Sequence, residues 1–205
     1  MELLHGGPLL IMPVRVTQAK NIEFAMQVVR ALIDRGQQPK LVITGPPDPH
    51  SEASLAYFQE LKRLREALGL QHTVHFVCEQ GNDPEQMFTI NQAVVAELLR
   101  LSDMVFLPSH REGFGMPVLE AGLLGVPVVG STAVPAVREI GGDQVICFRP
   151  EESPDHVAQL IIDTIAQNPT ARFRRQVRES LIWERIFIRQ IEPIIKGQWI
   201  NSSND

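Results

Sequence analysis

The stretch Pro108-Ser109-His110-Arg111-Glu112-Gly113-Phe114-Gly115-Met116-Pro117-Val118-Leu119-Glu120-Ala121 holds two carboxylates eight positions apart, two glycines and a proline, directly after the apolar run 104–107. That order reads as a strand, a glycine loop and a helix. Pro117 suits the first helical position, where its missing N–H loses no hydrogen bond, so Met116 is the expected cap. The amides of Val118 and Leu119 then point out of the helix start, and with the positive end of the helix dipole they make a seat for a phosphate. Gly113 and Gly115 let a ligand approach the backbone closely. Glu120, read as lying in the first helical turn, is placed to accept hydrogen bonds from two adjacent hydroxyls, with Glu112 across the loop. Two carboxylates with phosphate donors between them suit the hydroxyls of a nucleotide sugar.

A second group of residues opens the chain. In Val14-Arg15-Val16-Thr17-Gln18-Ala19-Lys20-Asn21, two cations follow the first apolar run and lead into a helical pattern. Arg15 and Lys20 at the same sheet edge as the Pro117 helix would supply the charge that a diphosphate leaving group needs. Each feature also has a plain structural alternative. The helix dipole alone favours an acid in a first turn, glycine loops join strands to helices in many α/β proteins, and a cation pair can be an ordinary solvated loop. The Gly-x-Gly lacks the Gly-x-Gly-x-x-Gly spacing of a dinucleotide fold, which disfavours an oxidoreductase. The six histidines form no His-x-x-x-His or Cys/His ligand set, so no metal site is expected. His110 reads as a supporting or surface residue rather than a base.

These residues need elements to position them. Short apolar, β-branched runs at 9–16, 40–44, 73–77, 104–107, 127–130 and 144–148 alternate with helical periods at about 21–34, 51–68, 90–100, 117–124 and 154–167. That alternation predicts an α/β fold: a single Rossmann-like domain with a mostly parallel six-stranded sheet and helices on both faces. Residues 80–86 read as a long loop. The segment 170–199 carries Phe173, Val177, Leu181, Phe187, Ile191, Ile194 and Ile195 among many charges, predicting one or two amphipathic helices, with Pro193 bending or ending one. Residues 201–205 read as a disordered polar tail.

Composition narrows the class. The 205 residues are 44% hydrophobic and 21% charged, enough for one full core. With 19 Lys+Arg against 24 Asp+Glu, the formal charge of -5 lacks the basic excess that nucleic-acid binding draws on. Cys78 and Cys147 lie far apart in apolar runs and read as buried thiols in a reducing cytoplasm. No apolar run approaches the roughly 20 residues needed to span a bilayer.

Taken in order, Arg15 and Lys20, then Leu41-Val42-Ile43-Thr44-Gly45-Pro46, the 112–121 block, Gly125-Val126-Pro127-Val128-Val129 and Arg138-Glu139-Ile140 resemble the carboxyl-terminal, donor-binding domain of a retaining GT-B glycosyltransferase of the group 1, or family 4, kind. The hallmark is two Glu separated by seven residues, matched by Glu112 and Glu120. The resemblance runs from about residue 13 to 197, and Trp183-Glu184 looks like the start of the family's final crossing helix. It implies Arg15 and Lys20 on the donor diphosphate and Glu112 with the amides of Gly113, Phe114, Gly115 and Met116 on the donor hexose. It further implies the amides of Val118 and Leu119 on the phosphates and Glu120 on the ribose. Arg15, Lys20 and Glu112 form the implied catalytic set, and the base is expected near residues 77–79. A UDP- or GDP-linked sugar is the implied donor, with no cofactor and no metal. Same-face attack by the acceptor is the family's usual mechanism, so neither Glu is assigned as a nucleophile.

Departures from the family pattern matter too. The family places an acceptor-binding Rossmann-like domain before this one, so the expectation is a fragment or split-gene product, inactive or weakly active alone, with any peripheral membrane association made through the other half. The connection 78–100 is longer than usual, and Ile11-Met12-Pro13-Val14-Arg15 replaces the usual Gly before the Arg. The competing readings are a nucleotide-sugar epimerase-like domain and a non-catalytic nucleotide-binding module. A two-carboxylate glycoside hydrolase is disfavoured by the cations, because its leaving group carries no phosphate.

Overall fold

A computed structural model describes residues 3, 7–81, 83, 86–177 and 186–196. Six strands form one sheet: β1 (Leu9–Met12), β2 (Lys40–Ile43), β3 (Val74–Phe76), β4 (Met104–Leu107), β5 (Val128–Ser131) and β6 (Ile146–Phe148). Their order is β3-β2-β1-β4-β5-β6, and every pair is parallel. The chain therefore works outward from β1 on one side and returns to build from β4 on the other. The loops leaving β1 and β4 diverge at the carboxyl edge, which is where open parallel sheets bind ligands.

The central strands are wholly buried because helices cover both faces. Leu9, Leu10, Ile11 and Met12 of β1 and all four residues of β4 lie in the core, as expected for a parallel sheet. Helix α1 (Ile22–Asp34) buries Ile22, Ala25, Met26, Val28, Val29 and Leu32, a stripe at intervals of three and four that fixes its face on the sheet. It packs against α6 (Pro154–Gln167), whose Val157, Ala158, Ile161 and Ile165 supply the matching stripe. Fully burying one such aliphatic side chain stabilises the fold by about 1.5–3 kcal/mol. The remaining helices are α2 (Glu52–Ala67), α3 (Gln92–Leu101), α4 (Met116–Leu124), α5 (Pro135–Gly141), α7 (Pro169–Gln176) and α8 (Glu192–Ile195). Phe24 of α1 stacks on Phe148 of β6 at 5.8 Å between ring centroids. Asp103, almost fully buried, receives the Leu9 N–H at 2.9 Å on its carboxylate while its own N–H donates to Leu9 O, so the entries of β1 and β4 are tied together.

Several boundaries differ from the sequence expectation, each for a local reason. The first strand stops at Met12 rather than continuing to residue 16. Pro13 has no N–H to donate, and the Val14 N–H turns back to Met12 O at 2.9 Å. Val14 and Val16 remain buried, so the apolar alternation was real although the ladder had ended. The third strand gives way at Val77 to the 3₁₀ turn Val77–Glu79, and the sixth begins only at Ile146 after the turn Gly142–Gln144. Helix α5 had no counterpart in the sequence reading, for its seven residues give too short a period to read. Its Val137 side chain fits over Gly130 of β5, where an added Cβ would stand 2.9 Å from Val137 Cγ1.

Cys78 is buried and its thiol is pushed up to about 11 by burial; Cys147 is half-buried, its thiol also raised by burial. Both are free. In the tail, α7 is capped by Asn168, and a five-residue π-helical turn, Phe187–Ile191, precedes α8, with Pro193 in the latter's first turn. Leu181, Trp183, Glu184, Trp199 and the expected tail 201–205 lie outside the described residues. No described helix is long and apolar enough to cross a membrane.

Candidate functional site

The two loops that sequence singled out meet. Lys20, in the 3₁₀ turn Gln18–Lys20 after β1, places its Nζ 2.6 Å from Glu112 Oε2, and both side chains are largely buried. The other carboxylate oxygen, Oε1, accepts a hydrogen bond from Ser109 Oγ at 2.9 Å, and Ser109 is fully buried. Glu112 is thus fixed through both oxygens, in a position that sequence alone reported only as "across the loop". Ser109 was not read as a functional residue. Its signal was available: a small hydroxyl three positions before an acid on a strand-to-helix loop can turn back to it.

The backbone closes the same junction. The N–H groups of His110 and Arg111 donate to Ala19 O at 2.9 and 3.4 Å. On the other flank, Gly45 N–H donates to Val14 O at 3.0 Å and Val16 N–H to Pro46 O at 3.3 Å. A Cβ on Gly45 would lie 2.7 Å from Val14 O, so this approach requires glycine. The β1 loop is held between the loops that follow β2 and β4. Arg15 stands on it, exposed and without an ion pair among the described residues, while Lys20 faces Glu112.

The start of α4 departs from the sequence expectation in one instructive way. Gly115, not Met116, is the cap; its φ of 78° is left-handed, and Met116 and Pro117 are the first helical residues. The Val118 and Leu119 N–H groups consequently donate to Gly115 O, at 2.9 and 3.5 Å, and are not free as expected. The unengaged donors lie before Pro117: Gly113, Phe114, Gly115 and Met116 make no backbone N–H hydrogen bond among the described residues. Successive unengaged amides at a helix start are a geometry that can seat an anion. Phe114 is exposed beside it.

Glu120 is the fifth residue of α4, so it lies in the second turn rather than the first. It lines a groove of about 390 Å³ between α3 and α4 with Gln92, Val95, Leu99 and Leu123. Near the expected base region, Glu79 is engaged by Arg65 at 2.6 and 3.1 Å, and Cys78 O accepts the Phe88 N–H at 3.0 Å. Among the described residues no group of His, Cys, Asp and Glu is arranged to hold a metal ion.

A parallel sheet with its topological switch between β1 and β4, flanked by helices and carrying its polar residues on the loops of the carboxyl edge, is a Rossmann-like domain. It matches the carboxyl-terminal half of a GT-B glycosyltransferase. The family model described as glycosyl transferases group 1 matches residues 2–180, and the chain belongs to that family. A D-inositol 3-phosphate glycosyltransferase of Saccharomonospora viridis is 26% identical over 177 residues, covering 83% of this chain and 38% of that protein. An N-acetyl-alpha-D-glucosaminyl L-malate synthase of Bacillus anthracis is 34% identical over 113 residues, 53% of this chain and 29% of that protein. The chain thus spans less than two-fifths of these two curated relatives. In solved structures, the C-terminal domain of a group 1 glycosyl transferase (LpcC) from Francisella tularensis superposes with a TM-score of 0.62 at 21% identity, covering 88% of this chain and 84% of that one. The Anabaena HepE protein, in complex with UDP, superposes at 0.65 and 18% identity, covering 95% of this chain and 50% of that one.

Proposed function

We propose that this chain is the donor-binding part of a retaining, metal-independent hexosyltransferase that uses a UDP- or GDP-linked sugar. The observation that carries the reading is the junction of Lys20 with Glu112 at 2.6 Å, beside the unengaged amides of 113–116, at the switch point of the sheet. An ammonium has three donors. Lys20 can therefore keep Glu112 while turning another N–H to a phosphate oxygen, with Arg15 the exposed second cation of the same loop. Departure of a nucleoside diphosphate builds negative charge on its phosphates, and cations and amides already in place stabilise that charge without a divalent ion. Glu112, held by Ser109 and Lys20, is set to accept hydroxyls of the hexose, and Glu120, in its groove, those of the ribose. Support for the ligand class comes from the HepE structures, one with UDP and one with UDP and glucose.

Transfer also needs an acceptor, and we place its site on the remainder of a longer protein or a separate partner chain. The expected compartment is the cytoplasm, where free thiols persist. Calorimetric titration of the 205-residue chain with UDP, GDP and ADP in chelator tests the proposal. One or two of the three should bind without metal, and Lys20→Ala or Arg15→Ala should weaken binding by at least ~1.5 kcal/mol, the scale of a lost charged hydrogen bond. Affinity equal in wild type and both variants would remove the diphosphate assignment.

A further inference from the structure

Asn21 is the one non-glycine residue with positive φ among the described residues, at 50°. It occupies the cap position of α1 but departs from ordinary capping twice. A cap residue is normally extended, and its side-chain oxygen accepts an amide of the first turn. Asn21 is left-handed, and its side chain caps nothing. Ser51, Asn91, Ser153 and Asn168 all cap their helices through the side chain. The Asn21 carboxamide instead donates from Nδ2 to Pro108 O, at 3.2 Å, across 87 positions of sequence. Pro108 opens the loop that carries Ser109 and Glu112. Two residues on, the His110 and Arg111 N–H groups donate to Ala19 O. Three hydrogen bonds thus fasten residues 19–21 to residues 108–111, with Lys20 between Ala19 and Asn21 and Glu112 next after Arg111.

We infer that Asn21 is a positioning residue for the anion site: its left-handed turn and its carboxamide bond set the spacing between Lys20 and the 109–116 loop. The inference rests on the nucleotide-sugar reading above. Asn is one of the few non-glycine residues that adopt the left-handed conformation routinely, and here that turn brings its carboxamide to Pro108 O rather than to the first turn of α1. The Lys20–Glu112 ion pair is the other side-chain link across the junction among the described residues. When the Lys20 ammonium turns a further N–H to a diphosphate, the Asn21 bond and the two amides on Ala19 O hold the register of the loops.

The test uses the 205-residue chain. Asn21→Gly keeps the left-handed backbone without strain and deletes the carboxamide; Asn21→Asp keeps the size but turns an acceptor toward the Pro108 carbonyl. Both should weaken binding of UDP, or of GDP if wild type prefers it, about fivefold to tenfold, the effect of one lost hydrogen bond. The melting temperature of Asn21→Gly should fall by less than about 4 °C. Without nucleotide, its His110 amide should exchange hydrogen several-fold faster. Asn168→Gly, which removes an ordinary cap from α7, should lower melting yet leave nucleotide affinity and His110 exchange unchanged. Equal affinity and equal His110 protection in wild type and Asn21→Gly would overturn the inference. If neither nucleotide binds wild type, the nucleotide-sugar reading fails and the anion-site role with it; the ligand-free exchange then still decides whether the carboxamide fastens the loops.

Discussion

At the scale of single residues, the junction is a balance of charge. Glu112 neutralises Lys20 across 2.6 Å in a largely buried setting, and Ser109 holds the second oxygen so that the carboxylate cannot swing away. Glu112→Gln keeps the shape and the Ser109 contact but leaves the ammonium uncompensated. Bare UDP or GDP should therefore bind the variant more tightly by about 0.5–1 kcal/mol, the worth of one partly screened charge near a diphosphate. The corresponding nucleotide sugar should lose its advantage over the bare nucleotide, because an amide accepts fewer hydroxyl hydrogen bonds than a carboxylate. Calorimetry with both ligands reads this directly. A loss of bare-nucleotide affinity as large as that in Lys20→Ala would mean instead that the carboxylate serves to hold the lysine and not the sugar.

At the scale of elements, the decisive piece is the first turn of α4. Gly115 takes φ of 78°, and a Cβ there would stand 2.6 Å from Ala136 Cβ of α5, so both conformation and space demand glycine. Gly115→Ala should cost about 1–3 kcal/mol in backbone strain, with the clash added, and should abolish nucleotide binding by pushing the 113–116 amides off line. Gly122→Ala, on the same helix at an exposed position with nothing near the added Cβ, should stabilise by about 0.5–1 kcal/mol and leave binding intact. Urea unfolding of the pair checks both signs. The contrast also shows what sequence could and could not deliver. Pro117 and the two glycines located the turn correctly, since their backbone rules are local. The space that demands glycine at 115 was not local: it is set by Ala136 of α5, and α5 is too short to announce itself by periodicity. With the cap at Gly115, the free amides lie at Gly113 to Met116, before Pro117, and not at Val118 and Leu119. The meeting of Lys20 with Glu112 was legible as an expectation because both follow strands of one parallel sheet. The adjacency of β1 and β4, and the part taken by Asn21, emerge only when residues about 90 positions apart are brought together.

At the scale of the whole molecule, stability is linked to protons through a residue far from the proposed chemistry. His75 lies in the edge strand β3, its Nε2 buried and without a hydrogen-bond partner among the described residues. Burial pushes its pKa down to about 4, with Lys40 and Arg65 adding repulsion of the protonated form. Unfolded, the imidazole takes its proton near pH 6.5. Between those values the unfolded chain binds a proton that the folded one refuses, so folding stability from this group is complete above about pH 6.5 and declines as the pH falls toward 4. Below 4 both states are protonated and the group contributes no further slope. His75→Leu removes both the titration and the unpartnered nitrogen. Its urea midpoint should exceed that of wild type at pH 7 and should fall less between pH 7 and pH 4.5. Equal falls in the two proteins would remove His75 as the source of the acid sensitivity.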